Sequence, residues 1–239
     1  MQSVIRPALL VTLGGAALAL AGCGGHKDAG NATASAANLQ AAAAAPDFGK
    51  TTVAPGLTLA DGPDVCFRAV AKQIGADVKV SEITSFFSVG NDIDGDDTEP
   101  KGQLKVCTVQ YQNPSDPRKL IEATMDLATG KFGVPHPVEI TVTGGDEANF
   151  KLDDYIVPLS KVNAAALTSV MDTEKAKLGS YYGKYAWSGV RLEAPDAFSS
   201  TNMLRLDVDG RLAANDIKKD GYASVMLDGK TVKTDYLTK

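Results

Sequence analysis

The sequence predicts an α+β fold of two tandem units, each a helix packed on an antiparallel sheet of three or four strands. Three observations predict it. Apolar residues recur at helical spacing in two places, each place is followed by several strand-like runs, and clusters of Gly, Pro, Asn and Asp separate those runs as turns do. The units are expected at 57–143 and 144–239, each long enough to bury a modest core.

The first helix is marked at both ends. Asp61, Gly62, Pro63 and Asp64 open it, Gly75 closes it, and Val65, Ala69, Val70 and Ile74 form its apolar stripe. Strands follow at Val78 to Val89, Gln103 to Tyr111 and Leu120 to Leu127. The polar, acidic stretch Gly90 to Gly102 joins the first two, and Asn113-Pro114-Ser115-Asp116-Pro117 turns between the next two, so adjacent strands are antiparallel. Phe86 and Phe87 are neighbours on a strand and must point to opposite faces, one of them into the core. An extra strand at Val138 to Val142 and a polar loop at Gly144 to Asn149 lead to the second unit.

There, Leu159, Val162, Ala166, Val170 and Leu178 predict a longer helix from about Pro158 to Gly179. Strands are expected at Tyr185 to Leu192, Met203 to Val208, Tyr222 to Leu227 and Thr231 to Leu237. Asp209-Gly210 and Asp228-Gly229 read as tight turns.

The chain offers little for catalysis. Its two histidines are His26, in a low-complexity segment, and His136, between Pro135 and Pro137; neither has a partner signal for a triad. No glycine-rich phosphate loop opens a helix, and no Cys/His set has metal-ligand spacing. The expectation is no enzyme, no cofactor and no metal. The acidic run Asp92, Asp94, Asp96, Asp97 and Glu99 fails the EF-hand pattern, because Asp97 stands where glycine is needed and Gln103 where a bidentate glutamate is needed. It reads as a solvated hairpin loop, as a surface for a basic partner, or as an adventitious metal site. Tyr182, Tyr185 and Trp187 either cap the second core or serve as interface anchors. The candidate partner-binding residues are therefore Asp92, Asp94, Asp96, Asp97, Tyr182, Tyr185 and Trp187. With 24 Lys and Arg against 29 Asp and Glu, nucleic acid is not the expected partner.

The chain begins with one early positive charge, Arg6, and an apolar stretch from Ala8 to Ala21 too short for a permanent span. This reads as a signal peptide over residues 1–22. The stretch ends in Leu20-Ala21-Gly22-Cys23, which resembles the lipobox of bacterial lipoproteins, where the cysteine accepts a diacylglycerol. That resemblance implies a membrane anchor on Cys23, since acyl methylenes leave water at about 0.8 kcal/mol each. In such lipoproteins an Asp after the cysteine favours the inner membrane. Gly24 stands there, so the expected address is the periplasmic face of the outer membrane. Residues 23–56, rich in Ala, Gly, Asn, Ser and Thr, form a tether. With Cys23 lipidated, Cys66 and Cys107 remain as an even pair in an oxidising compartment and are expected to form a disulfide.

Ile121 to Phe132, with Asp126 and the pair Thr129-Gly130, resembles the closing strand and turn of the PepSY family, and the preceding helix and strands follow that family's order. The likeness covers about Pro63 to Val134, interrupted by the insertion Gly90 to Gly102. Tandem units of this kind also look like the secreted beta-lactamase inhibitor proteins, and a single unit looks like the small lipoprotein of the outer-membrane barrel-assembly machine. These resemblances imply protein binding without chemistry. A lipid-anchored, tethered, acidic binding module also looks like the immunity proteins that neutralise antibacterial effectors. The alternative is an accessory lipoprotein of envelope assembly or stress sensing.

Overall fold

Thr58, Pro63 and Asp64 break the chain before the first apolar stripe, and the helix α1 (Val65–Gln73) starts where they stop. Thr58 donates through its backbone N–H and its hydroxyl to Asp61, closing a 3-10 turn at Leu59–Asp61, and Arg68 pairs with Asp64 one turn below it. In the computed structural model the described residues are 56–142, 147–196 and 199–239, within one compact unit. The signal peptide, Cys23, almost all of the tether and part of the Gly144 to Asn149 loop lie outside the described residues.

The first strands are β1 (Lys79–Phe87), β2 (Leu104–Gln112) and β3 (Leu120–Asp126), paired antiparallel in chain order. Two short strands share the outer edge of β3: β4 (Lys131–Phe132) and β5 (His136–Val138). The expected strand at Val138 to Val142 is thus displaced toward the N-terminus, and Pro137, which has no N–H to donate, sits on an edge where that loss is tolerated. A two-residue strand, β6 (Val157–Pro158), pairs with the start of β1.

The second helix, α2 (Leu167–Tyr181), begins later than its apolar pattern suggests. Val162 is extended and the Asn163 N–H is taken by the carbonyl of Leu227, so helix cannot propagate back toward Pro158. Residues before it form 3-10 turns at Leu159–Lys161 and Ala164–Ala166. Gly179 does not stop the helix. It lies inside α2, which runs without a loop into β7 (Tyr182–Glu193). Then come β8 (Met203–Leu212), β9 (Lys218–Val225) and β10 (Val232–Tyr236).

Asp209-Gly210 is not a turn. Gly210 lies within β8, where a Cβ would stand 2.5 Å from the Tyr182 ring and 2.7 Å from the Lys184 carbonyl oxygen, so glycine serves close approach there. The chain turns between Leu212 and Lys218 instead, while Asp228-Gly229 does make the turn between β9 and β10, the Asp228 carboxylate accepting the N–H groups of Lys230 and Thr231.

The strands form one continuous sheet in the order β10-β9-β8-β7-β1-β2-β3-β4, closed across the middle by antiparallel pairing of β1 with β7. The fold is therefore mixed helix and sheet, mostly sheet, with two α-helices among the described residues; it does not resolve clearly into two separate units. Both helices contribute to a single main core. Val65, Cys66 and Val70 from α1 and Leu167, Val170 and Leu178 from α2 join Ile83, Val109, Val190, Leu204, Leu206 and Ala223 from one face of the sheet. No described helix is long and apolar enough to cross a membrane.

Cys66 of α1 and Cys107 of β2 form a disulfide with Cα atoms 5.6 Å apart, both side chains fully buried. It fastens the helix to the sheet across 41 residues of sequence. Replacing both cysteines by alanine should lower stability by about 3 to 4 kcal/mol under the chain-entropy model, measured by urea unfolding monitored by circular dichroism.

Candidate interaction surface

Strand alternation places every second residue on the face away from the helices, and register then sets these residues in rows across the sheet. One row runs Thr124, Thr108, Thr84, Arg191, Arg205, Ser224. The next runs Val106, Phe86, Gly189, Asp207, Tyr222, Tyr236. On the other side of the threonine row lie Glu122, Gln110 and Glu82, with Glu193 on β7.

At the centre two arginines face each other across β7 and β8, an arrangement that repels unless something lies between. Asp207 does so. Its Oδ2 accepts from Arg191 Nε at 3.0 Å, and its Oδ1 accepts from Arg191 Nη2 at 3.2 Å and Arg205 Nε at 2.8 Å. Arg191 also pairs with Glu193 at 3.0 Å, and Arg205 stacks 3.8 Å over the Tyr222 ring. Gly189 leaves the space this needs, since a Cβ there would come within 2.7 Å of the Asp207 carboxylate and 3.1 Å of the Phe86 ring. Phe86 lies 37 % exposed beside Arg191, while Phe87 is in the core.

Two segments fold over the ends of this face. At the far end of β1, residues 88–103 cross toward β7, where Val89 and Ile93 pack on Ala186, and Lys218 of β9 pairs with Asp94 at 2.5 Å. At the near end, Leu152 and Ile156 pack on Leu120, which alternates to the same face, and Asn202 donates to the Tyr155 carbonyl oxygen. Between these borders are two hollows that share Arg191. The larger, about 470 Å3, is lined by Phe86, Lys105, Asp207, Asp209 and Asp220; the smaller, about 250 Å3, by Glu82, Gln110 and Glu193.

The carboxylates divide by environment. Burial raises Glu82, with the Thr84 hydroxyl and Arg191 opposing it, and burial raises Glu193 against the same arginine. Burial acts on Asp97 too, but the Lys105 ammonium and the Val89 N–H outweigh it and hold that carboxyl down to about 2.

The acidic stretch is the loop of the β1–β2 hairpin, exposed over much of its length but tied down at Asp94 and Asp97. Asp92 lies 3.7 Å from Lys101, Asp94 pairs with Lys218, and Asp97 is 6 % exposed against Lys105; Asp96 is exposed. The aromatic group lies on the helix side. Tyr182 is 1 % exposed and donates to the Leu237 carbonyl oxygen at 2.9 Å, with burial pushing its hydroxyl up to about 12. Trp187 is buried, and Tyr185 is half-buried in a groove beside Met171 and Leu59. The two sets of residues are not brought together: Asp94 and Asp97 border the open face, and the aromatic trio sits behind it. Sequence reasoning missed Arg191, Arg205 and Asp207, although charged residues at period two within apolar strands carried the signal. Among the described residues no group of three or more His, Cys, Asp or Glu is arranged to hold a metal ion. Comparison with protein-family models, curated proteins and solved structures finds no match.

Asp97→Ala should lower stability at neutral pH by about 2 kcal/mol. The folded carboxyl is depressed, so its contribution is present above the unfolded value near 3.8 and is lost as pH falls through about 2. The deficit relative to wild type should accordingly shrink between pH 4 and 2 in urea titrations. Asp207→Asn leaves the opposed arginines without their shared anion and should cost about 1 to 3 kcal/mol by the same measurement.

Proposed function

We propose that this protein is a lipoprotein anchored through Cys23 at the periplasmic face of the outer membrane, where it binds and inhibits another protein, an antibacterial effector being the target that an immunity lipoprotein would meet. The observation that carries the reading is the open sheet face. It is uncovered by either helix, bordered at both strand ends, and carries the half-exposed Phe86 beside Tyr222, Arg191 and Arg205, tyrosine and arginine being residue types that dominate binding hot spots. Its arginines are locked by Asp207, so a partner would meet a preorganised surface and pay little ordering entropy.

The sheet order supports a finer reading in which two PepSY-like or inhibitor-like units are fused edge to edge. Each helix precedes the strand that lies at the seam, α1 before β1 and α2 before β7, and each unit then builds outward strand by strand. In this reading the binder has no chemistry of its own.

The test is capture by the full-length, C-terminally tagged protein from detergent-solubilised envelopes of cells exposed to attacking bacteria, beside a Phe86→Ala/Tyr222→Ala variant. Stoichiometric recovery of one secreted toxin by the wild type, lost in the variant, is the expected outcome. Recovery of barrel-assembly or cell-wall machinery would replace inhibition with an envelope-assembly role. Recovery of nothing would remove the binding reading.

A further inference from the structure

The open face carries like charges where a stable sheet would carry opposite ones. Asp209 of β8 stands directly across from Asp220 of β9, and like charges opposed on a ladder are destabilising. The cations beside them are already engaged: Lys218 is held by Asp94, Lys105 by Asp97 and Arg191 by Asp207, and Arg211 donates to the Asp216 carbonyl oxygen. The same imbalance recurs at the smaller hollow. There Glu82, Glu193 and Asp196 line the hollow with Arg191 as the one cation among its lining residues, and that guanidinium also serves Asp207. The two imbalances lie on either side of Arg191, each in a hollow. In each hollow carboxylates outnumber the lining cations, so a further cation meets a complementary field there.

We infer that the face receives a basic segment of its partner, one Lys or Arg entering the hollow at Asp209 and Asp220, another entering the hollow at Glu82 and Glu193, with an apolar side chain against Phe86 between them. This rests on the protein-binding reading above and names the chemistry of its partner. Along β8 the two carboxylate pairs are separated by the run from Met203, which pairs with Glu193, to Asp209, roughly 20 Å at 3.3 Å per residue. The two cations of the partner therefore lie about six residues apart on an extended segment, or on two neighbouring loops.

The probe is a fluorescein-labelled peptide of about twelve residues with two Lys six positions apart, Leu at the two positions between them that share their face, and Ser and Thr elsewhere, long enough to reach both hollows. Its binding to the full-length protein in detergent is read by anisotropy. The same peptide with Glu in place of both Lys serves as control. The variants are Glu82→Gln/Glu193→Gln and Asp209→Asn/Asp220→Asn, with Asp77→Asn/Asp172→Asn removing the same charge from exposed positions elsewhere. Because Glu193→Gln also removes the ion pair with Arg191, thermal unfolding of every variant is recorded first and binding is compared well below the lowest midpoint, which keeps misfolding from imitating lost binding. The expected result is binding of the basic peptide alone, weakened at least tenfold by either face variant, little changed by the third, and weaker with added salt. Equal binding of the acidic peptide, or equal loss in all three variants, overturns the inference. In the capture experiment, a partner retained by both face variants overturns this inference and leaves the binding reading standing; recovery of no partner by the wild type overturns both.

Discussion

β1 and β7 meet along four residue pairs, Ile83–Phe86 against Gly189–Leu192, and this short seam makes one sheet of what would otherwise be two. Backbone pairing there is reinforced from both faces. Beneath it, the buried Ser85 hydroxyl donates to the Val190 carbonyl oxygen, and Ile83 and Leu192 extend the main core across the junction. Above it, Arg191 reaches from β7 toward Phe86 on one side and Asp207 on the other. The open face exists as a single surface because this seam holds its two halves in register.

The helical side and the open side obey different physics. On the helical side, apolar burial at roughly 25 cal/mol per Å2 does the fixing, and the disulfide adds a covalent tie between α1 and β2. On the open side the fixing is polar, through charge-assisted hydrogen bonds around Asp207 and threonine pairs across β1, β2 and β3. A half-exposed network of that kind contributes less stability than a core, and it leaves a surface whose groups already hold their positions.

The sequence made the helices and strands legible because their apolar residues follow one period at a time. Val65, Ala69 and Val70 mark a helix, and Leu204, Leu206 and Val208 mark a strand. What it concealed depends on tertiary contacts. Gly210 looked like half of a turn because Asp-Gly favours one, yet it is glycine to admit the Tyr182 ring. The apolar pattern before Leu167 continues smoothly, and only the Asn163 bond to Leu227 shows why the helix waits. On the surface, Phe86 and Phe87 could be assigned to opposite faces by alternation alone. Alternation puts Arg205 and Asp207 on one face as well, but only cross-strand register adds Arg191 to them.

Gln73, the last residue of α1, acts as a substitute strand for the outermost hairpin. Its side-chain amide donates to the Gly130 carbonyl oxygen at 2.8 Å and accepts the Phe132 N–H at 3.2 Å, so β4 is held between β3 and a helix end. Fraying of the last turn of α1 would unlatch β4 at the same moment. The amide protons of these two elements therefore exchange with solvent as one cooperative unit.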